Sequence, residues 1–262
     1  MTEPTVIVER DGRVATLSLN RPDRANTLNP QLLSELRQGL LDVSNDKETR
    51  AIIITARGRH FCGGADLRAA RPAPSVTDNA GPLDLSWVPL PIIAAINGAA
   101  MGGGCELALS CDFRFISSTA KIGLTEIRFG ALPAGGGTAR LPRLVGLAKA
   151  KQLIFSGEPI DAAEALDIGL VDRVCEPDDL LKEAREYATL LASRAPYAMR
   201  TAKRLVNQAM EMDLHTALIL ERRLIAGMGS PEEKAAARDE AAANMSTYAN
   251  IFSKPDEAED KA

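Results

Sequence analysis

Asn97-Gly98-Ala99-Ala100-Met101-Gly102-Gly103-Gly104-Cys105-Glu106-Leu107-Ala108 lies inside the stretch, Pro91 to Glu126, that organises the whole chain. The apolar run Ile92 to Ile96 before it reads as a buried strand. It breaks at three successive glycines and resumes as an Ala/Leu-rich segment that reads as a helix start. Consecutive glycines let a ligand approach the main chain with no Cβ in the way, and the free N–H groups of a helix's first turn point at whatever sits there. Such a turn favours an anion, or a carbonyl oxygen becoming one. Glu106 sits two residues past the last glycine, and Glu126 follows after a further strand-like segment, Phe113 to Ser118. An anion-stabilising turn with two acids nearby points to catalysis. The plainer reading of the same run is a packing turn with two solvated glutamates.

The bulk properties narrow the field. A chain of 262 residues suits one main core with a helical appendage, and 45% hydrophobic with 25% charged residues is a globular composition. No apolar run approaches the length needed to cross a bilayer. The formal charge of −4 and scattered basic residues argue against a nucleic-acid surface. Cys62, Cys105, Cys111 and Cys175 form no CxxC pair, so reduced thiols in a cytoplasmic setting are expected. His60 and Cys62 are close in sequence, but nothing completes a metal-ligand set around them. The N-terminal MTEPTVIVERDG has neither a secretory nor a transit-peptide pattern.

Outward from the centre, Thr5 to Arg10 and Arg13 to Leu19 flank Asp11-Gly12 as a hairpin. After the polar loop Asn20 to Asn29, Asn29-Pro30 starts a helix with apolar positions Leu32, Leu33, Leu36, Leu40 and Val43. Ala51 to Thr55 reads as a buried strand, leading into a second glycine turn, His60-Phe61-Cys62-Gly63-Gly64-Ala65-Asp66-Leu67; if Asp66 or Leu67 opens a helix, its N–H groups face the same way as those after Gly103. Arg68 to Pro91, with five prolines and Trp87, reads as a mobile loop. A third glycine cluster, LPAGGGTARLPRLVG, lacks the GK[ST] ending of a P-loop, and no GxGxxG follows a strand. Its tail, Thr138 to Leu144, suits a helix despite Pro142. Leu147 to Phe155 reads as a helix, followed by a short one capped by Asp161 and a strand at Leu170 to Val174. Four longer helices then follow, Asp178 to Ser193, Pro196 to Met212, Leu214 to Ala226 and Pro231 to Tyr248. The pattern is an α/β core with a C-terminal helical region.

These motifs, in this order, resemble the crotonase superfamily, the enoyl-CoA hydratase/isomerase family, over nearly the whole chain. FCGGADL is similar to its first oxyanion-hole motif and PIIAAINGAAMGGGCELALSCD to its second; TEIRFGALPAGGGTARLPRLVG and SGEPIDAAEALDIGLVDRV resemble the segments that follow. The resemblance implies a spiral of ββα units with a C-terminal helical domain. The boundary is expected near residue 195, with residues 1–195 as core and 196–262 as a capping and trimerising region. It implies an acyl-CoA thioester as substrate, coenzyme A being part of it and no other cofactor or metal being used. The thioester carbonyl would sit between the N–H groups of Ala65 and Gly103. Glu106 and Glu126 take the positions of the hydratases' paired acids, Glu126 as proton donor to Cα and Glu106 as the partner orienting water. Arg24, Ala25, Thr27, Gly63, Asp66, Leu67, Gly102, Pro133 and Gly135 are the implied substrate contacts, with Arg24 assigned to the CoA phosphates and Asp66 to holding its own loop.

By their own residues Gly102, Gly104, Gly135, Gly136 and Gly137 read more readily as turn-makers than as ligand contacts; Cys105 and Cys111 read as small core residues, His60 as a loop residue and Trp87 as packing. Ala134 stands where many hydratases carry glycine, and RDEAAANMSTYANIF lacks the basic pair many members place before the final aromatic residue. The activity implied is reversible syn addition of water to a trans-2-enoyl-CoA, by a homotrimer or dimer of trimers in the cytoplasm. Isomerisation, decarboxylation or C–C bond chemistry on the same enolate is the first rival. A non-catalytic scaffold or RNA-binding homologue is the second.

Overall fold

A computed structural model describes residues 3–68 and 81–243. The chain divides into two units, Met1–Ser193 and Arg194–Ala262.

In the first unit, β1 (Val6–Asp11) and β2 (Val14–Leu19) form the expected antiparallel hairpin around Gly12, which takes φ +56°. Helix α1 (Pro30–Asn45) starts at its predicted cap: the Asn29 side chain accepts the Leu32 N–H at 2.9 Å, and Pro30 occupies the first helical position. Its buried stripe, Leu32, Leu36, Gly39, Leu40 and Val43, packs on the hairpin.

The chain then alternates between two sheets. β3 (Ala51–Ala56), β5 (Ile92–Ile96), β7 (Phe113–Ser117) and β10 (Arg173–Cys175) extend the hairpin into a six-stranded sheet of order β1-β2-β3-β5-β7-β10, parallel from β2 onward. β4 (His60–Cys62), β6 (Ala99–Met101), β8 (Lys121–Gly123) and β9 (Ile160–Asp161) build a four-stranded sheet in that order. Each turn of the chain therefore lays one strand on each sheet, and the parallel pairing obliges a crossover between turns. Those crossovers hold α2 (Gly103–Ser110), α3 (Gly137–Val145), α4 (Leu147–Ser156) and α5 (Ala162–Asp167). The result is the ββα spiral.

The large sheet is buried on both faces, which is why its strands read as unbroken apolar runs. Ile52, Ile54, Ile92, Ala94 and Ile96 face the main core; Ala51, Ile53, Ile93, Ala95 and Phe115 face the small residues Ala184, Ala188 and Ala192 of α6 (Leu180–Ala192).

Several expectations are corrected. β4, β6, β8 and β9 were not anticipated, because segments of two or three residues carry no period. His60 is accordingly a strand residue. No helix opens at Asp66 or Leu67: Ala65 bridges Leu28 and residues 67–68 form a turn. The strand expected at Leu170 starts instead at Arg173, because the Leu170 and Val171 N–H groups turn back to the Ala165 carbonyl at 2.8 and 3.1 Å and close α5. Of the loop read as mobile, residues 69–80 lie outside the described residues. Residues 81–91 have no helix or strand, yet Leu83, Leu85, Val88 and Leu90 are buried in the main core and Arg37 lies 5.1 Å over the Trp87 ring, so this part is anchored.

The second unit comprises α7 (Pro196–Ala209), α8 (Leu214–Ala226), capped by the Asp213 carboxylate on the Thr216 N–H, and α9 (Pro231–Ala243). α7 ends before the predicted Met212, and residues 244–252, which held the rest of the last predicted helix and of the segment RDEAAANMSTYANIF, lie outside the described residues.

Candidate active site

Two glycine turns meet where the two sheets' crossovers meet. Gly102 caps α2 with φ +53°, a conformation that favours glycine, and its N–H is tied to the Gly123 carbonyl at the end of β8 (2.9 Å). Gly104, the second residue of the helix, lies so close to β4 that a Cβ there would stand 2.2 Å from the Cys62 carbonyl oxygen. This contact brings the start of α2 against the residues after β4. A Cβ on Gly64 would lie 3.5 Å from the Gly103 nitrogen, and one on Gly103 would lie 3.6 Å from the Ala65 nitrogen. Among the backbone hydrogen bonds of the described residues, neither the Ala65 nor the Gly103 amide has an acceptor.

The polar loop before α1 holds the first of these turns. Asn26 is fully buried at φ +52°; its Oδ1 accepts the Arg21 N–H at 2.7 Å, and its Nδ2 donates to the carbonyls of Arg57 and His60 at 2.9 and 2.8 Å. Gly63 N–H donates to the Ala25 carbonyl, Leu28 N–H to Gly64 and Asp66 N–H to Leu28, at 2.8–2.9 Å. Arg21 adds donations to the Thr27 carbonyl and to Asp66 Oδ2, the latter at 3.1 Å. The Arg68 N–H, and after it the Arg21 guanidinium, hold the Asp66 carboxyl below its ordinary range. Ala65 is thus gripped on both sides by backbone pairing.

Both carboxylates stand beside these amides. Glu106, in the first turn of α2 and only 4% exposed, accepts at Oε1 from the N–H groups of Gly135 (2.7 Å) and Gly137 (2.9 Å). Its Oε2 lies 2.7 Å from the position a Cβ on Gly135 would take. Glu126 opens a short 3-10 turn after β8, and its Oε1 lies 3.2 Å from the corresponding position on Gly102. Its Oε2 is buried and has no hydrogen-bond partner among the described residues. Burial raises the Glu126 carboxyl above its ordinary range, and the Glu106 charge pushes the same way. Cys105, the buried residue just before Glu106, has its thiol raised by burial and by both glutamates. A carboxylate locked by two amides, a second whose carboxyl is raised by burial and two neighbouring main-chain donors can together stabilise an oxyanion, orient water and transfer a proton.

Ala25, Thr27, Gly63, Ala65, Asp66, Gly102, Gly103, Glu106, Glu126 and Gly135 are brought together by these contacts, and Pro133 packs under Gly137. Arg24 is exposed on the same loop, 3.8 Å from Asp23, and Leu67 is 73% exposed; neither is tied to the glycine turns by a hydrogen bond or ion pair among the described residues. Gly102 and Gly136 have positive φ, as turn-makers should. Gly104, Gly135 and Gly137 do not; they are small because Cys62, Glu106 and Leu124 crowd them. All four cysteines are buried, and none forms a disulfide among the described residues. Asn26, Arg21 and Arg140 escaped the sequence reading. Only the oddity of a charged cluster threaded with Asn in NRPDRANTL could have signalled the first two. Among the described residues no cluster of His, Cys, Asp or Glu could hold a metal ion, and no helix is long and apolar enough to cross a membrane.

Residues 9–242 match the model of the enoyl-CoA hydratase/isomerase family. The short-chain-enoyl-CoA hydratase of Clostridium acetobutylicum is 41% identical over 237 residues, covering 87% of this chain and 91% of that protein. The crotonyl-CoA hydratase of Syntrophomonas wolfei is 38% identical over 230 residues, covering 84% and 88% respectively. The crystal structure of an enoyl-CoA hydratase from Bacillus anthracis superposes with a TM-score of 0.80 at 40% identity, covering 85% of this chain and 90% of that one. On these matches the chain belongs to the enoyl-CoA hydratase/isomerase family.

Proposed function

We propose that this protein is an enoyl-CoA hydratase that adds water reversibly to a short trans-2-enoyl-CoA, giving the 3-hydroxyacyl-CoA. The observation that carries the reading is the pair of glutamates in different settings, Glu106 fixed by two amides and Glu126 desolvated with an unpartnered buried oxygen, beside the neighbouring amides of Ala65 and Gly103. Relatives named as short-chain and crotonyl-CoA hydratases, at 41% and 38% identity, support the substrate class.

The chemistry follows from what each group offers. Water attacking Cβ drives negative charge onto the thioester oxygen, and donors fixed in advance by the two turns stabilise that charge by several kcal/mol. Glu106, acceptor-only and rigidly held, orients the water and takes its proton. Glu126, whose raised pKa favours the protonated form, delivers a proton to Cα. No further cofactor is needed for this sequence, and Arg24 is the cation on the substrate-side loop for the CoA phosphates. Val206, Met210 and Leu214, exposed on the second unit's helices or the turn between them, support assembly with further copies, as trimers or pairs of trimers; the cytoplasm as the setting rests on cysteines that form no CxxC pair.

The test is loss of the conjugated enoyl-thioester absorbance with crotonyl-CoA and a short panel of longer and branched enoyl-CoAs, with a product heavier by one water. Binding of the CoA esters without absorbance loss anywhere in the panel would overturn hydration and leave isomerisation or C–C bond chemistry.

A further inference from the structure

Glu106 is held by amides on a turn, residues 135–137, that consists only of glycine and has no side chain with which to anchor itself. Arg140 supplies the anchor. From the first turn of α3 its side chain curls back beneath the turn, and Nη1 donates to the Gly135 carbonyl at 2.9 Å. A Cβ on Gly136, which has φ +107°, would stand 1.9 Å from Nη1, so the guanidinium fills the space that glycine leaves. The Arg140 N–H also donates to the Gly136 carbonyl at 2.8 Å. Nη2 reaches across to Asp84 Oδ1 at 2.9 Å, with 25% and 20% of the two side chains exposed.

Asp84 is itself fixed. Its N–H donates to the Gly81 carbonyl at 3.1 Å, and its carboxylate accepts from Ser86 N–H and Oγ at 3.2 and 2.9 Å. Next to it, the buried Leu83 comes as close to the Cβ position of Gly135 as Glu106 Oε2 does, 2.7 Å in each case. A continuous set of contacts therefore runs from the anchored segment at residues 81–91 through Arg140 and the glycine turn to the Glu106 carboxylate.

We infer that Arg140, held by Asp84, is a positioning residue for Glu106: it sets the two amides that fix the carboxylate. The effect on turnover rests on the hydratase reading; the effect on the turn rests on geometry alone. A planar guanidinium serves the Gly135 carbonyl and Asp84 at once, which a lysine ammonium on a flexible stem does not do with the same pre-organisation.

The experiment uses the full chain with R140M, R140K, D84N, E106Q and the double variant R140M/E106Q. Displacement of the carboxylate by about an ångström lowers kcat for crotonyl-CoA by about 10- to 100-fold in R140M, with KM changed less than about twofold. R140K recovers part of the loss, D84N shows a smaller one, and R140M adds nothing in the E106Q background because the two act as a unit. Amide exchange at Gly135 and Gly137 quickens in R140M while the melting curve and the later amides of α3 stay unchanged. Wild-type kcat and exchange in R140M, or an equal loss with and without Glu106, would overturn the inference. A wild type that hydrates nothing would strike the hydratase reading instead, and amide exchange at Gly135 and Gly137 then decides the role of Arg140 by itself.

Discussion

Replacing Gly104 by alanine is expected to separate the Ala65 and Gly103 amides, the proposed oxyanion donors. The added Cβ would lie 2.2 Å from the Cys62 carbonyl oxygen and 2.7 Å from the Cys62 Cβ. Ordinary contact begins at 3.4 Å, so α2 and the end of β4 must part by about 1.2 Å. Neither side can give alone, since Cys62 is fully buried in the small sheet and Gly104 is in the first turn of a buried helix. Gly103 precedes the forced contact by one residue and Ala65 follows Cys62 by three, so the displacement falls on the spacing of their nitrogens. Overpacking of this kind costs about 1–3 kcal/mol, which lowers Tm by about 2–4 °C per kcal/mol in a chain near this size. Losing the alignment of one oxyanion donor costs about 100- to 1000-fold in kcat. Differential scanning calorimetry and steady-state hydration of crotonyl-CoA measure the two effects together. G104A with kcat within about threefold of wild type and an unchanged Tm would refute the reasoning, because the close approach of α2 to β4 would then not set the amide pair.

Other perturbations have defined outcomes. N26A leaves the Arg21 N–H and the carbonyls of Arg57 and His60 without their buried partner and places alanine at positive φ; denaturant titration should show a loss of about 2–3 kcal/mol. N29A removes the cap of α1, and the same titration should show about 1 kcal/mol. For E126Q the sign follows from the raised carboxyl: the folded state keeps a proton that the unfolded state has already lost, so this group's contribution to stability is lost as pH rises from the unfolded value, about 4.3, through the higher folded value. The Tm of E126Q relative to wild type should therefore climb as pH rises above the unfolded value and level off once the raised folded carboxyl has ionised. A difference that stays flat or falls would show that Glu126 is not desolvated.

The large sheet and the glycine turns were legible because they leave strong local marks. Ile92 to Ile96 is buried on both faces and so forms an unbroken apolar run, and Asn29-Pro30 carries its own capping chemistry. The small sheet was not legible. β6 is Ala-Ala-Met between glycines, and its pairing with β4 and β8 is decided by the spiral rather than by its own residues. Glu106 and Glu126 stood out as acids near glycines, but their different states depend on contacts 29 and 31 residues away for Glu106 and on burial for Glu126. The same distance hid Arg140 and Asp84, 56 residues apart, and Asn26, whose acceptors lie 31 and 34 residues ahead. Leu83, Leu85, Val88 and Leu90 were hidden for another reason: proline-rich sequence gives no period, yet an irregular segment still buries its apolar side chains.

The central claim is that Glu106 and Glu126 act together on an enolate whose oxygen is held by Ala65 and Gly103. Its most direct test is crotonyl-CoA hydration by wild type, E106Q and E126Q, with the Kd of the CoA ester measured for each. Both substitutions keep the shape of the site and remove only proton transfer, so Kd should stay within a few-fold of wild type while kcat falls at least about 100-fold in each. Hydration at near wild-type kcat by either variant would contradict the account.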